Sequence, residues 1–180
     1  MWAMNALAEM EATARALTAP GKGILAADES HGTIEKRLRT IEVASSEESR
    51  RDYRGMLFST AGLGEFISGA ILFDETIRQK TADGIPMVDL LKSQGIIPGI
   101  KVDRGAKALA GFPGDRITEG LDGLRGRLAD YYKFGARFRK WRAVIRIGAD
   151  APSRTGLEAN AHALARFAAL SQEAGLVPIV

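Results

Sequence analysis

Near its start the chain reads Gly21-Lys22-Gly23-Ile24-Leu25-Ala26-Ala27-Asp28-Glu29-Ser30-His31-Gly32-Thr33. A short apolar run carries the Asp28 carboxylate to its end, and a turn of small and hydroxyl residues follows. Two later runs are built alike. Pro98-Gly99-Ile100-Lys101-Val102-Asp103 delivers an ammonium, and Lys140-Trp141-Arg142-Ala143-Val144 delivers an ammonium and a guanidinium. A carboxylate among fixed cations can bind an anionic substrate and move protons on it. The competing account is a structural ion-pair network of Asp28, Lys101, Lys140 and Arg142, because charges on buried strands must be partnered. Charges from three strand ends gathered near one rim favour the site. A nucleophilic triad does not fit: Ser30 and His31 merely adjoin Asp28, and triads are defined by geometry. The chain has no cysteine and only two histidines, His31 and His162. Disulfides and thiolate zinc sites are thereby excluded, and no metal site is expected.

The elements that must hold these groups alternate between helix and strand. An amphipathic helix is predicted over 4–18, closed by Thr18-Ala19-Pro20-Gly21. Strands are predicted over 23–28, 68–73, 96–102 and 141–147, and a fifth begins at 176–180. Helices are predicted over 33–41, 45–60, about 87–93, 119–134 and 155–174. The second and the last of these are expected to open on capping boxes, Ser45-Ser46-Glu47-Glu48 and Thr155-Gly156-Leu157-Glu158. Gly175 marks the stop of the last. Alternation implies a parallel sheet. Parallel strands covered on both faces read as unbroken apolar runs, yet two strands here do not. Gly99, Lys101 and Asp103 share a face opposite Ile100 and Val102, and Lys140, Arg142, Val144 and Arg146 share one opposite Trp141, Ala143, Ile145 and Ile147. A charged inner face and an apolar outer face suit a barrel with a polar mouth better than a doubly wound sheet. Strand ends are also where α/β proteins place chemistry.

At 180 residues, with 46% apolar and 26% charged content, the chain suits one soluble domain. No apolar run is long enough to span a membrane. The first ten residues lack the basic-then-apolar order of a signal peptide, so a cytoplasmic location is expected, with no membrane partner. The net charge of +3 is small, and basic and acidic residues are interleaved without a nucleic-acid-binding signature. A phosphorylated metabolite suits that balance better than nucleic acid.

Five segments resemble class I fructose-bisphosphate aldolase, in order and over nearly the whole length. They are Gly23 to Ser30 with Gly32-Thr33-Ile34 and Lys36-Arg37-Leu38, Arg50-Arg51-Asp52-Tyr53-Arg54, Gly69-Ala70-Ile71-Leu72-Phe73-Asp74-Glu75-Thr76, Pro98 to Asp103 and Lys140 to Val144. The resemblance implies an α/β fold, a TIM (β/α)8 barrel of which residues 1–180 are the N-terminal portion of a single domain, about five strands with their helices. It implies reversible cleavage of fructose 1,6-bisphosphate to dihydroxyacetone phosphate and glyceraldehyde 3-phosphate through a lysine Schiff base, with no cofactor and no metal. Asp28 would orient the substrate and assist carbinolamine chemistry. Lys101 would lie near the substrate, and Lys140 would support charge and proton transfers beside the Schiff base. Arg142 would approach substrate oxygens, and Ser30, Thr33 and Arg37 a sugar phosphate. Arg50 matches a more peripheral substrate-side position, for which a surface ion pair is the simpler account.

Other charged or aromatic residues read more plainly. Asp74 and Glu75 are expected to hydrogen-bond within the barrel, His31 to sit in an exposed loop, Tyr131 to Phe134 to pack as a helix end, and Arg125 and Arg127 to form a solvated face. The family's next residues after Val177-Pro178-Ile179-Val180 are acid/base glutamates, and its Schiff-base lysine lies on a later strand. The sequence is therefore expected to be part of a longer protein, inactive alone, and a homo-oligomer, often a tetramer in the family, when full length. The alternative is a non-catalytic half-barrel that binds a sugar phosphate or a partner chain.

Overall fold

The computed structural model describes residues 2–149 and 151–180, and side chains from residue 6 onward. The chain opens with helix α1 (Trp2–Leu17), then strand β1 (Gly23–Ala27), α2 (His31–Arg39), α3 (Glu47–Phe58) and the short α4 (Leu63–Phe66). Next come β2 (Ile67–Leu72), α5 (Asp74–Arg78), α6 (Met87–Ser93) and β3 (Ile97–Lys101). A small hairpin, β4 (Ala106–Ala108) and β5 (Arg116–Thr118), leads to α7 (Leu124–Phe134). The chain continues with β6 (Phe138–Lys140), α8 (Arg154–Glu173) and β7 (Val177–Ile179).

Five strands form one parallel sheet in the order β1-β2-β3-β6-β7, so each strand pairs with its predecessor in the sheet's own sequence. That winding in one direction puts the helices on one face, as in a β/α barrel; a doubly wound sheet reverses its order midway. The outward residues Ala70, Leu72, Ile100, Val102 and Trp141 pack with Phe58, Leu91, Leu128 and Phe167 of the helices in the main core. The inward residues Ile71 and Phe138 meet Leu17 at the end of α1 in a second, smaller core, flanked by Ile97, Val177 and Ile179. Helix α1 touches both β2 and β7, which stand three places apart in the sheet order. Such contact is geometrically natural only if the sheet curls around the helix end. Gly99 is needed within that curl, because a Cβ there would run into the Phe138 ring.

Several sequence expectations shift. The fourth strand is Phe138–Lys140, not 141–147. Trp141 is buried as expected, but Ile145 and Ile147 are exposed, so the apolar outer face ends where the strand does. The box that opens α3 is one residue later, Ser46 with Ser49, whose side chains and backbone amides bond reciprocally. The α8 cap is Ser153, accepting from the Gly156 amide at 3.0 Å; Thr155 and Glu158 lie inside the helix. The helix expected over 119–134 starts only at Leu124. Gly120 and Gly123 take positive φ there, and at Gly120 a Cβ would also crowd the Arg104 amide.

Candidate functional site

At the carboxyl ends of the strands the curled sheet holds a cavity of about 1090 Å³. Each wall group is placed by a different element. Strand β1 delivers Asp28 one residue past its end, β3 ends on Lys101 and β6 ends on Lys140. The Lys140 ammonium donates to Asp28 Oδ2 at 2.8 Å, with side chains 27% and 10% exposed. Strands β1 and β6 are separated by two others. On a flat sheet their axes would lie roughly 14 Å apart at a spacing of about 4.8 Å, too far for side chains standing parallel to one another. The ion pair therefore spans the concave side of the curl. Beside it Lys101 donates to Asp103 Oδ1 at 2.6 Å and to the Asp103 carbonyl at 2.9 Å. The Gly105 amide donates to the same carboxylate at 3.0 Å.

Helix α2 contributes its first turn. Ser30 is the N-cap residue, and its hydroxyl lies 3.2 Å from that of Thr33. Both hydroxyls and the Arg37 guanidinium, which pairs with Glu29, line the cavity. A helix start with spare hydroxyls and amides is a natural anion cradle. Arg142, just past β6, lines it as well. The structure thus brings Asp28, Ser30, Thr33, Arg37, Lys101, Lys140 and Arg142 to one cavity.

Arg50 is not on that wall. It forms a two-pronged pair with Glu75, Nε to Oε2 at 2.9 Å and Nη2 to Oε1 at 2.5 Å. Its side chain is 13% exposed, so the pair is internal and not at the surface. This pair holds the Glu75 carboxyl below the usual range, against the opposing effect of burial. Behind the β1 end the fully buried Arg54 donates to the Glu29 carbonyl at 2.6 Å. It also lies 3.8 Å from the Glu29 carboxylate and 3.6 Å from that of Glu75. Burial drives its guanidinium below the ordinary value, and the two carboxylates resist.

The cavity has cationic groups that pattern reading overlooked: Arg78, Arg104, Arg116 and Arg127. Arg104 adjoins the Lys101-Val102-Asp103 run and was within reach of it. Arg116 sits on a hairpin too short to show as alternation. Arg127, expected on a solvated face, turns inward and donates to the carbonyls of Val102, at 3.0 Å, and Gly120. Arg125 does pair at the exposed surface, with Glu173. Asp74 accepts from Tyr131 at 2.8 Å and from Arg78 at 3.0 Å. Burial raises its carboxyl, but those bonds prevail and leave it below its usual value. His31 opens α2 and remains exposed, 3.4 Å from Glu75. Among the described residues no cluster of His, Cys, Asp and Glu is arranged to hold a metal ion.

The model of a family described as fructose-bisphosphate aldolase class-I matches residues 9–180. A relative from Xanthomonas axonopodis pv. citri, named probable fructose-bisphosphate aldolase class 1, is 62% identical over 172 residues, 96% of this chain and 52% of its own length. Fructose-bisphosphate aldolase 6, cytosolic, of Arabidopsis thaliana is 55% identical, over 96% of this chain and 48% of its own. A solved structure of fructose-bisphosphate aldolase from Plasmodium falciparum, in complex with TRAP and a small-molecule inhibitor, is similar with a TM-score of 0.96 and 49% identity. The match covers 98% of this chain and 51% of that one. The chain spans about half the length of the curated relatives it matches.

Proposed function

Because the chain belongs to the class I fructose-bisphosphate aldolase family, we propose that the complete enzyme cleaves fructose 1,6-bisphosphate reversibly in the cytoplasm. The products are dihydroxyacetone phosphate and glyceraldehyde 3-phosphate. In this reading a lysine amine condenses with the C2 ketone, releasing water and leaving a protonated imine. The C3–C4 bond then breaks with its electron pair drawn toward the imine nitrogen, the C4 hydroxyl loses its proton as the aldehyde forms, and the enamine left behind takes a proton at C3 and is hydrolysed to dihydroxyacetone phosphate and the free lysine. The condensing lysine and the acid/base glutamates belong to the family's later strands. Residues 1–180 supply the wall that grips and polarises the sugar.

The observation that carries this reading is the Lys140–Asp28 pair at 2.8 Å across the curl, on one cavity with Lys101 and the Ser30–Thr33 hydroxyls. Asp28 accepts from a substrate hydroxyl and orients it, while Lys140 beside it donates toward the oxygen that departs from C2. Its positive charge also favours the neutral, nucleophilic form of a neighbouring amine. Ser30, Thr33, Arg37 and Lys101 hold a phosphate, and Arg142 reaches substrate oxygens.

Borohydride reduction of the full-length protein with dihydroxyacetone phosphate tests it. The expected outcome is a stable covalent adduct by mass, insensitive to chelator. Lys140→Met should lower kcat by about 10²- to 10³-fold, the scale of a lost proton donor. Absence of an adduct together with chelator-sensitive turnover would overturn the assignment. In the same assay a polypeptide of residues 1–180 alone is expected to show neither adduct nor turnover.

A further inference from the structure

Arg142 has an unusual support. Strand β6 ends at Lys140, so the segment that carries Arg142 has no continuous ladder of its own. The Trp141 amide makes one bond to the Ile179 carbonyl at 3.2 Å. The Arg142 carbonyl is then taken up from outside the sheet, by the Thr118 hydroxyl at 2.7 Å. Thr118 is 3% exposed and ends β5, in the hairpin that stands apart from the main sheet.

That hairpin is itself tied down at both ends. The buried Asp115 carboxylate accepts from the Ser153 amide at 3.1 Å and from the Ser153 hydroxyl, at the start of α8. An acidic group suits that helix end. Asn160 on α8 donates to the Arg116 carbonyl at 2.8 Å. Gly156 leaves room for this docking, since a Cβ there would collide with the Asp115 carboxylate. At the other end the Arg104 amide donates to the Glu119 carbonyl at 2.8 Å, and the Glu119 amide to the Gly105 carbonyl at 3.1 Å. The hairpin thus links the Lys101–Asp103 turn, the α8 start and the Arg142 backbone.

We propose that Thr118 is a positioning residue for Arg142: its hydroxyl fixes the Arg142 main chain, and so directs the guanidinium onto the cavity. This rests on the reaction assigned above. A buried hydroxyl is what the position needs, since the Oγ donates to the Arg142 carbonyl. Valine keeps the shape and leaves the Arg142 carbonyl without its partner.

The experiment uses the full-length protein with Thr118→Val, Thr118→Ala and Thr118→Ser, each alone and with Arg142→Ala. Loss of the hydroxyl is expected to lower kcat/KM for fructose 1,6-bisphosphate about ten- to a hundredfold, the scale of a misplaced substrate contact. Thr118→Ser should restore activity to within about twofold. In the Arg142→Ala background, Thr118→Val and Thr118→Ala should cost nothing further, because coupled residues are non-additive. Thr118→Ala keeps the test open if valine prevents folding. Near-normal activity of both hydroxyl-free variants, or the full penalty persisting without Arg142, overturns the proposal. Amide hydrogen exchange over residues 141–147 reads the anchor independently of turnover, and should speed up when the hydroxyl is lost. An inactive wild type would sink the assigned reaction, while unchanged exchange would sink the anchor.

Discussion

Glu75 shows how much one side chain can hold together behind a site. It joins Arg50 in a two-pronged pair and faces Arg54 at 3.6 Å. The Arg50 bonds keep its carboxyl below the usual range despite burial. A carboxylate whose folded value is depressed stabilises the fold above its unfolded value of about 4.3, and that stabilisation is lost as pH falls through the folded value. Arg50→Leu in the full-length protein is therefore expected to cost about 3 kcal/mol at pH 7, the low end for a broken buried pair because Arg54 remains. In urea titrations across pH, the gap to wild type should close below about pH 4 as Glu75 protonates. Arg139 is the opposite case. It is fully buried on the helix side of β6 against Phe167, and its Nε donates to Ser171 at 2.5 Å. Its two terminal nitrogens have no hydrogen-bond partner among the described residues, and burial pulls its guanidinium down to about 9. Arg139→Met should leave stability unchanged or raise it by about 1–4 kcal/mol, read as the urea midpoint at pH 7.

Among the elements, β6 is where pattern and structure part company. Sequence alternation pointed to 141–147, because Trp141, Ala143, Ile145 and Ile147 make a clean stripe, whereas the strand that forms, Phe138-Arg139-Lys140, holds one apolar residue and two charged ones. Only packing reveals the choice: Phe138 fills the space over Gly69 and Gly99. Strands β1, β2 and β3 were legible within a residue or two, since mostly small and branched apolar residues lead there to Asp28, Asp74 and Lys101. The same parity showed that Gly99 and Lys101 share the inner face. The hairpin was illegible, as three-residue strands carry no period, and with it went Arg116 and the inward turn of Arg127. Gly99→Ala tests the β3–β6 fit. The added methyl must displace the Phe138 ring, at a cost of about 1–3 kcal/mol. A urea midpoint equal to wild type would show that the ring can move aside freely.

For the molecule as a whole, charge is distributed unevenly. The net charge is only +3, yet the cavity wall gathers Arg37, Arg78, Arg104, Arg116, Arg127 and Arg142 with Lys101 and Lys140. A concave wall on which these cations outnumber the acids Asp28, Glu29, Asp74 and Asp103 would draw the anionic sugar of the proposed reaction inward, and salt would screen that attraction over about 10 Å at 0.1 M. In the full-length enzyme, kcat/KM for fructose 1,6-bisphosphate is therefore expected to fall as ionic strength rises, with Arg104→Ser/Arg116→Ser flattening the dependence. A salt-independent kcat/KM would show that the field plays no part in capture. At the opposite end of the strands, Leu17 seats against Ile71 and Phe138, and its carbonyl is latched by the Ser68 hydroxyl at 2.7 Å. The N-terminal helix thus stoppers the concave side of the five-stranded sheet at that end. Whatever the concave side takes up is therefore admitted from the carboxyl ends of the strands, where Asp28, Lys101 and Lys140 stand.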